Sequence, residues 1–134
     1  MTQKFLHIWD ELNIIGKQIL DIKQKMFSMS IFTLFKKSDY IGYNSSLISL
    51  CTELNIINID MGSNNPNLEK SKIEDLRTFA KAMVNYAHIL IRMNEKLEQK
   101  CRGKVYPADE YAQDLEEMGS ANKIIVSSQK NILL

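Results

Sequence analysis

The apolar positions of this chain return at alternating intervals of three and four residues, over stretches too long for strands. In the first stretch Phe5, Ile8, Leu12, Ile15, Ile19, Ile22, Met26 and Met29 make an unbroken row of this kind. Lys4, Asp10, Glu11, Lys17, Asp21, Lys23 and Lys25 all fall off it. Successive helical residues turn by about 100°, so the spacing gathers one apolar seam and leaves the charges outside. Leu6, Trp9, Leu20 and Phe27 widen the seam, which suits a helix with two neighbours. Gly16 interrupts it at a cost of about 1 kcal/mol relative to Ala, which points to a close helix approach or a slight bend.

Residues 30–37 lose the spacing, and the segment reads as an extension of the first helix or a connecting turn. Ser38 or Asp39 can cap a second helix, whose row is Tyr40, Tyr43, Leu47, Leu50, Leu54 and Ile57, with Ile41, Ile48 and Cys51 read as broadening it. Gly42 and the Asn44–Ser46 cluster weaken the helical signal there. Residues 60–67, with Gly62, three Asn and Pro66, form the clearest loop.

The third helix has the firmest predicted start: Ser71 and Glu74 fit the S-x-x-E capping box. Its row runs Ile73, Leu76, Ala80, Met83, Ala87, Leu90, Asn94, Leu97 and Cys101, flanked by Phe79, Tyr86 and Met93. Lys96, Lys100 and Arg102 suit the negative end of the helix dipole, and Gly103 supplies the stop. Pro107 suits the first position of a fourth helix, with Asp109 and Glu110 in its first turn. The fourth row is the least apolar: Tyr111, Leu115, Met118, Asn122, Ile125, Gln129 and Ile132.

Four helices of similar length predict an all-α chain, a single domain over residues 1–134, folded as an antiparallel up-down-up-down four-helix bundle. Seam spacing of this kind serves packing within one chain or between chains, so the bundle is closed on itself or is completed or extended by dimerisation.

Composition sharpens this picture. Of 134 residues, 45% are hydrophobic and 25% charged, enough for a core and far from disorder. Five Gly and two Pro are too few for the turns of a many-stranded sheet protein. A net charge of +1 argues against a dedicated nucleic-acid binder. The N-terminal apolar run is broken by His7, Asp10 and Glu11, so no secretory signal is expected. No apolar stretch approaches the roughly 18 residues of a membrane span. Cys51 and Cys101 belong to no CxxC pair and read as two half-buried thiols of a cytoplasmic protein, with one disulfide between them left open.

Catalytic and cofactor chemistry lacks its usual residues. There are two histidines, and neither His7 nor His88 has a Glu three residues before it, as a di-iron bundle requires. H-E-x-x-H, the Arg-x4-6-His spacing of helical ribonucleases, G-x-G-x-x-G and the P-loop are all absent. Cys101 sits at a helix C-terminus, where the dipole disfavours a thiolate. The expectation is therefore no enzyme, no metal and no cofactor. One enzymatic arrangement stays open for the structure to judge, a pocket around His88 with Tyr86 or Asn94.

Three groups of residues remain as candidates. Ile31, Phe32, Leu34 and Phe35, with Ile132 and Leu133, are apolar beyond the needs of the rows and are candidate partner-binding residues. Asn94, Asn122 and Gln129 place amides on seams, where a buried amide can fix register. Arg92, Lys96 and Lys100 recur every four residues as a basic stripe, a phosphate-contacting surface in an alternative nucleic-acid-associated role. The simpler account pairs that stripe with the acidic run Asp109, Glu110, Asp114, Glu116 and Glu117 across the short 103–106 connection. These features together predict a small non-enzymatic protein-interaction module of the inhibitor, immunity, adaptor or assembly-subunit kind, with a protein partner and a tendency to homodimerise.

Overall fold

A computed structural model describes residues 3–27, 40–62 and 70–133. It contains four helices: α1 (Gln3–Met26), α2 (Tyr40–Gly62), α3 (Lys70–Cys101) and α4 (Ala108–Leu133). The first row is buried as its spacing dictates: Phe5, Ile8, Leu12, Ile15, Ile19, Ile22 and Met26 all lie in the core. Met29 lies outside the described residues.

Consecutive helices run antiparallel. Asn94 and Arg77 of α3 meet Asn44 and Asn58 of α2 in reversed order, and Arg92 and Lys96 meet Glu117 and Glu110 of α4 likewise. α1 and α3 run parallel, since Phe5 faces Lys72 while Trp9 stacks on Phe79 with ring centroids 5.4 Å apart. This is the up-down-up-down bundle.

α3 is its hub. It packs against all three other helices, and its predicted row is buried from Leu76 to Asn94 with the flanking Phe79, Tyr86 and Met93, while Ile73 and Leu97 are half-buried and Cys101 at the helix end is exposed. At about 1.5 Å per residue its 32 residues span roughly 48 Å. α1 rests on α2 and α3, and Gly16 permits the latter approach: a Cβ there would lie 3.3 Å from Met83 Sδ. The bundle is not evenly closed, because no Cα of α1 comes within 8 Å of one in α4 among the described residues.

The helix ends match the sequence in part. Gly103, at φ 90°, closes α3: its amide donates to the Lys100 carbonyl and that of Lys104 to the Gln99 carbonyl, both at 3.0 Å. These two bonds are the Schellman stop that glycine favours. Pro107 stands one residue earlier than expected, just before α4, and its carbonyl accepts the Tyr111 amide at 2.9 Å. The capping box is not where the sequence put it. α3 already includes Lys70, so Ser71 sits in the first turn rather than at the cap.

Two rows need correction. Ile41 and Ile48 do not broaden the α2 seam; they lie on its outer face while Leu47, Leu50, Cys51 and Leu54 are buried. Seven residues bring a helix back to about the same angle, so these two share a side roughly opposite Leu50. In α4 the deepest line is Asp114, Ala121, Ser128 and Ile132, with Asn122 exposed and Gln129 half-buried. Small Ala121 and Ser128 admit α3 closely, and Asp114 is drawn in by three partners on and beside α3.

Candidate partner-binding face

α2 carries two charged residues, Glu53 and Asp60, in 23. Its inner side is filled by Leu47, Leu50, Leu54 and Met61. Its outer side presents Ile41, Ile48, Ile56 and Ile59, exposed by 67, 55, 54 and 72%. Ile41, Ile48 and Ile59 fall within about 20° of one another around the helix axis, with Ile56 beside them. Ser45, Thr52 and Asn55 complete the stripe, all exposed. Thr52 turns its hydroxyl back onto the Ile48 carbonyl at 3.0 Å, so its methyl group faces outward with the isoleucines. Ile14 of α1, 57% exposed, adjoins Ile56 across a shallow groove that Glu11 and Glu53 also line. A helix so apolar on both sides has more greasy surface than the bundle covers.

The predicted partner-binding residues fare differently. Ile31, Phe32, Leu34 and Phe35 lie outside the described residues. Ile132 is 1% exposed and belongs to the core, because α4 ends with that side chain turned inward; Leu133 next to it is 67% exposed. Sequence reasoning missed the α2 stripe because it assigned Ile41 and Ile48 to the seam. Their seven-residue spacing, out of phase with Leu47 and Leu54, was the signal that could have found them.

The basic stripe is largely engaged. Arg92 donates to Asp114 Oδ1 at 3.1 Å and to Glu117 at 2.5 Å, and Lys96 reaches Asp114 at 2.8 Å and Glu110 at 2.6 Å. Tyr106 Oη donates to the same carboxylate at 2.5 Å, and its ring lies under Lys96 Nζ and edge-on to Tyr111. Burial pushes the Asp114 carboxyl up, but the hydrogen bonds from Lys96 and Tyr106 and the nearby cations outweigh it, leaving it below the usual carboxylate range. Burial, followed by the bond to Asp114, holds the Tyr106 phenol well above its ordinary value. Lys100 is exposed at the end of α3. Pairing of the stripe with the acidic run is thus present, though Asp114 is buried at its centre rather than solvated with its neighbours.

Of the three amides, Asn94 is fully buried. Its Nδ2 donates to the Tyr40 carbonyl at 2.5 Å and to Asn44 Oδ1 at 2.6 Å, while its own Oδ1 has no partner among the described residues. It ties the start of α2 to α3. Asn122 and Gln129 instead border the gap between α1 and α4, where Gln129 Nε2 reaches Asn13 Oδ1 at 3.4 Å.

His88 is exposed, whereas Tyr86 and Asn94 are buried, so the pocket imagined around it is not formed. Cys51 is buried, which pushes its thiol up, and Cys101 is exposed; both are free. Among the described residues no group of three His, Cys, Asp or Glu is placed to hold a metal ion, and no helix is long and apolar enough to cross a membrane. Comparison with protein-family models, curated protein sequences and solved structures finds no match to this chain.

Proposed function

We propose that the chain is a small helical protein-interaction module that acts without catalysis and pairs with a second copy of itself through the outer face of α2. The observation that carries this is the uncharged stripe of Ile41, Ile48, Thr52 and Ile59, exposed along the whole helix. A strongly charged partner would gain nothing from such a face. A second copy meets the stripe with like chemistry, with Glu11 and Glu53 left at the rim, in a self-complementary two-fold contact. Each isoleucine moved from half-exposed to buried contributes about 1 kcal/mol, and a two-fold contact counts each one twice. Ile14 and Ile56 extend the surface onto α1.

Light scattering coupled to size exclusion tests the proposal. The wild-type chain is expected to elute as a dimer at tens of micromolar, and Ile48→Lys with Ile59→Lys as a folded monomer of unchanged helicity. A wild-type chain that stays monomeric at high concentration overturns it.

A further inference from the structure

On the side of the bundle away from the α2 stripe, α1 and α4 part and leave a groove of about 210 Å³ floored by α3. The floor is apolar: Phe79 and Met83, flanked by Ile19 and Ile125. Gly16 of α1 keeps one wall low, since any side chain there would crowd Met83. An apolar cavity of about 150 Å³ accepts benzene, so this volume suits one or two fused rings.

Two polar groups give the groove a chemical preference. Tyr86 lies in its floor, 2% exposed, and its hydroxyl has no hydrogen-bond partner among the described residues. That hydroxyl keeps contact with solvent at the groove, so a ligand atom there can accept from it. Burial also keeps that phenol protonated, hence a donor. Lys17 stands exposed in the lining with no ion pair among the described residues. Among the described residues no acidic side chain lines the groove. The amides at its edge are partly committed, Asn13 to the Trp9 carbonyl at 2.8 Å and Gln129 to Asn13. An apolar floor, a hydroxyl donor open to the groove and a lysine without an ion pair among the described residues together select an anion on a flat apolar body.

We infer that the groove between α1 and α4 binds a small aromatic carboxylate, its rings on Phe79 and Met83, its carboxylate within reach of Lys17 and the Tyr86 hydroxyl.

Titration calorimetry of the full chain with 2-naphthoate at neutral pH tests this. Saturable one-to-one binding is expected, with Kd of about 1 mM or tighter for a ligand of this size. Lys17→Gln should weaken 2-naphthoate roughly 3- to 10-fold and leave 2-naphthamide unchanged, while Tyr86→Phe weakens both. Val126→Phe, an exposed α4 position whose larger side chain fills the groove, should weaken both at least about tenfold. Absence of saturable binding overturns the inference, as does 2-naphthoate affinity indifferent to Lys17→Gln or Val126→Phe. α2 contributes nothing to the lining, so Ile48→Lys with Ile59→Lys should bind 2-naphthoate like the wild type. Loss of binding in that variant would assign the site to a dimer contact and overturn the groove as its location, whereas a monomeric chain that still binds would sink only the dimer.

Discussion

A single carboxylate, Asp114, gathers more of the polar structure than any other side chain: Arg92, Lys96 and Tyr106 all converge on it. Removing it takes one of two acidic partners from Arg92 and from Lys96, which keep Glu117 and Glu110, and leaves a half-buried phenol without its acceptor. Because Arg92 is well exposed and Lys96 partly so, solvent compensates some of the loss. Asp114→Asn is expected to cost about 1–3 kcal/mol at pH 7, read by urea unfolding. The sign of its pH dependence follows from the lowered native pKa. The stabilisation is present above the unfolded carboxylate value of about 4 and is lost as pH falls through the native one. The wild type should therefore lose stability more steeply than Asp114→Asn below about pH 4. Tyr106 behaves in the opposite sense. Its raised native pKa gives a contribution present below about pH 10 and lost above, so Tyr106→Phe should delete the latest step from an ultraviolet tyrosine titration. None of this was visible in the sequence, where Asp114 is one of five acidic residues in an amphipathic helix start. What distinguishes it is the arrival of Arg92 and Lys96 from α3, a long-range fact.

At the scale of the helix, legibility depended on how many rows the residues allow. In α1 the row from Phe5 to Met26 could be read directly, but Leu6 and Leu20, read as widening it, are exposed. α4 offers two interleaved rows, one through Leu115, Asn122 and Gln129 and one through Asp114, Ala121 and Ser128, sharing Met118, Ile125 and Ile132. Hydrophobicity does not separate them. Close approach does, because Ala121 and Ser128 let α4 sit down on α3. Helix ends follow the same logic. Gly103 was readable because its left-handed backbone is a local requirement, and Gly103→Ala should cost about 1 kcal/mol in thermal unfolding. Asn94 was readable as a polar residue on an apolar row, but its partners were not. Asn94→Ala is expected to lose about 1–3 kcal/mol, with the α2 carbonyl and Asn44 left without their donor. Asn94→Leu combined with Asn44→Leu removes both sides of the amide pair and should fall within about 1 kcal/mol of the wild type.

For the molecule as a whole, the four-helix count, their antiparallel order and the core follow from seam spacing, while the uneven closure of the bundle does not. Spacing states that a helix has a buried side; it does not state how near each neighbour comes. That unevenness makes α3 the shared wall for its two sequence neighbours, with α1 held mainly by α2 and the Trp9–Phe79 and Gly16–Met83 contacts. Native-state hydrogen exchange should accordingly show the slowest amides in α3 and faster ones in α1. The same asymmetry bears on kinetics. The two best-packed pairs join helices adjacent in the chain, which keeps loop-closure costs low and favours a nucleus built on α3. Leu90→Ala should slow refolding, while Ile15→Ala should chiefly accelerate unfolding, so that the first helix is the last to arrive and the first to leave.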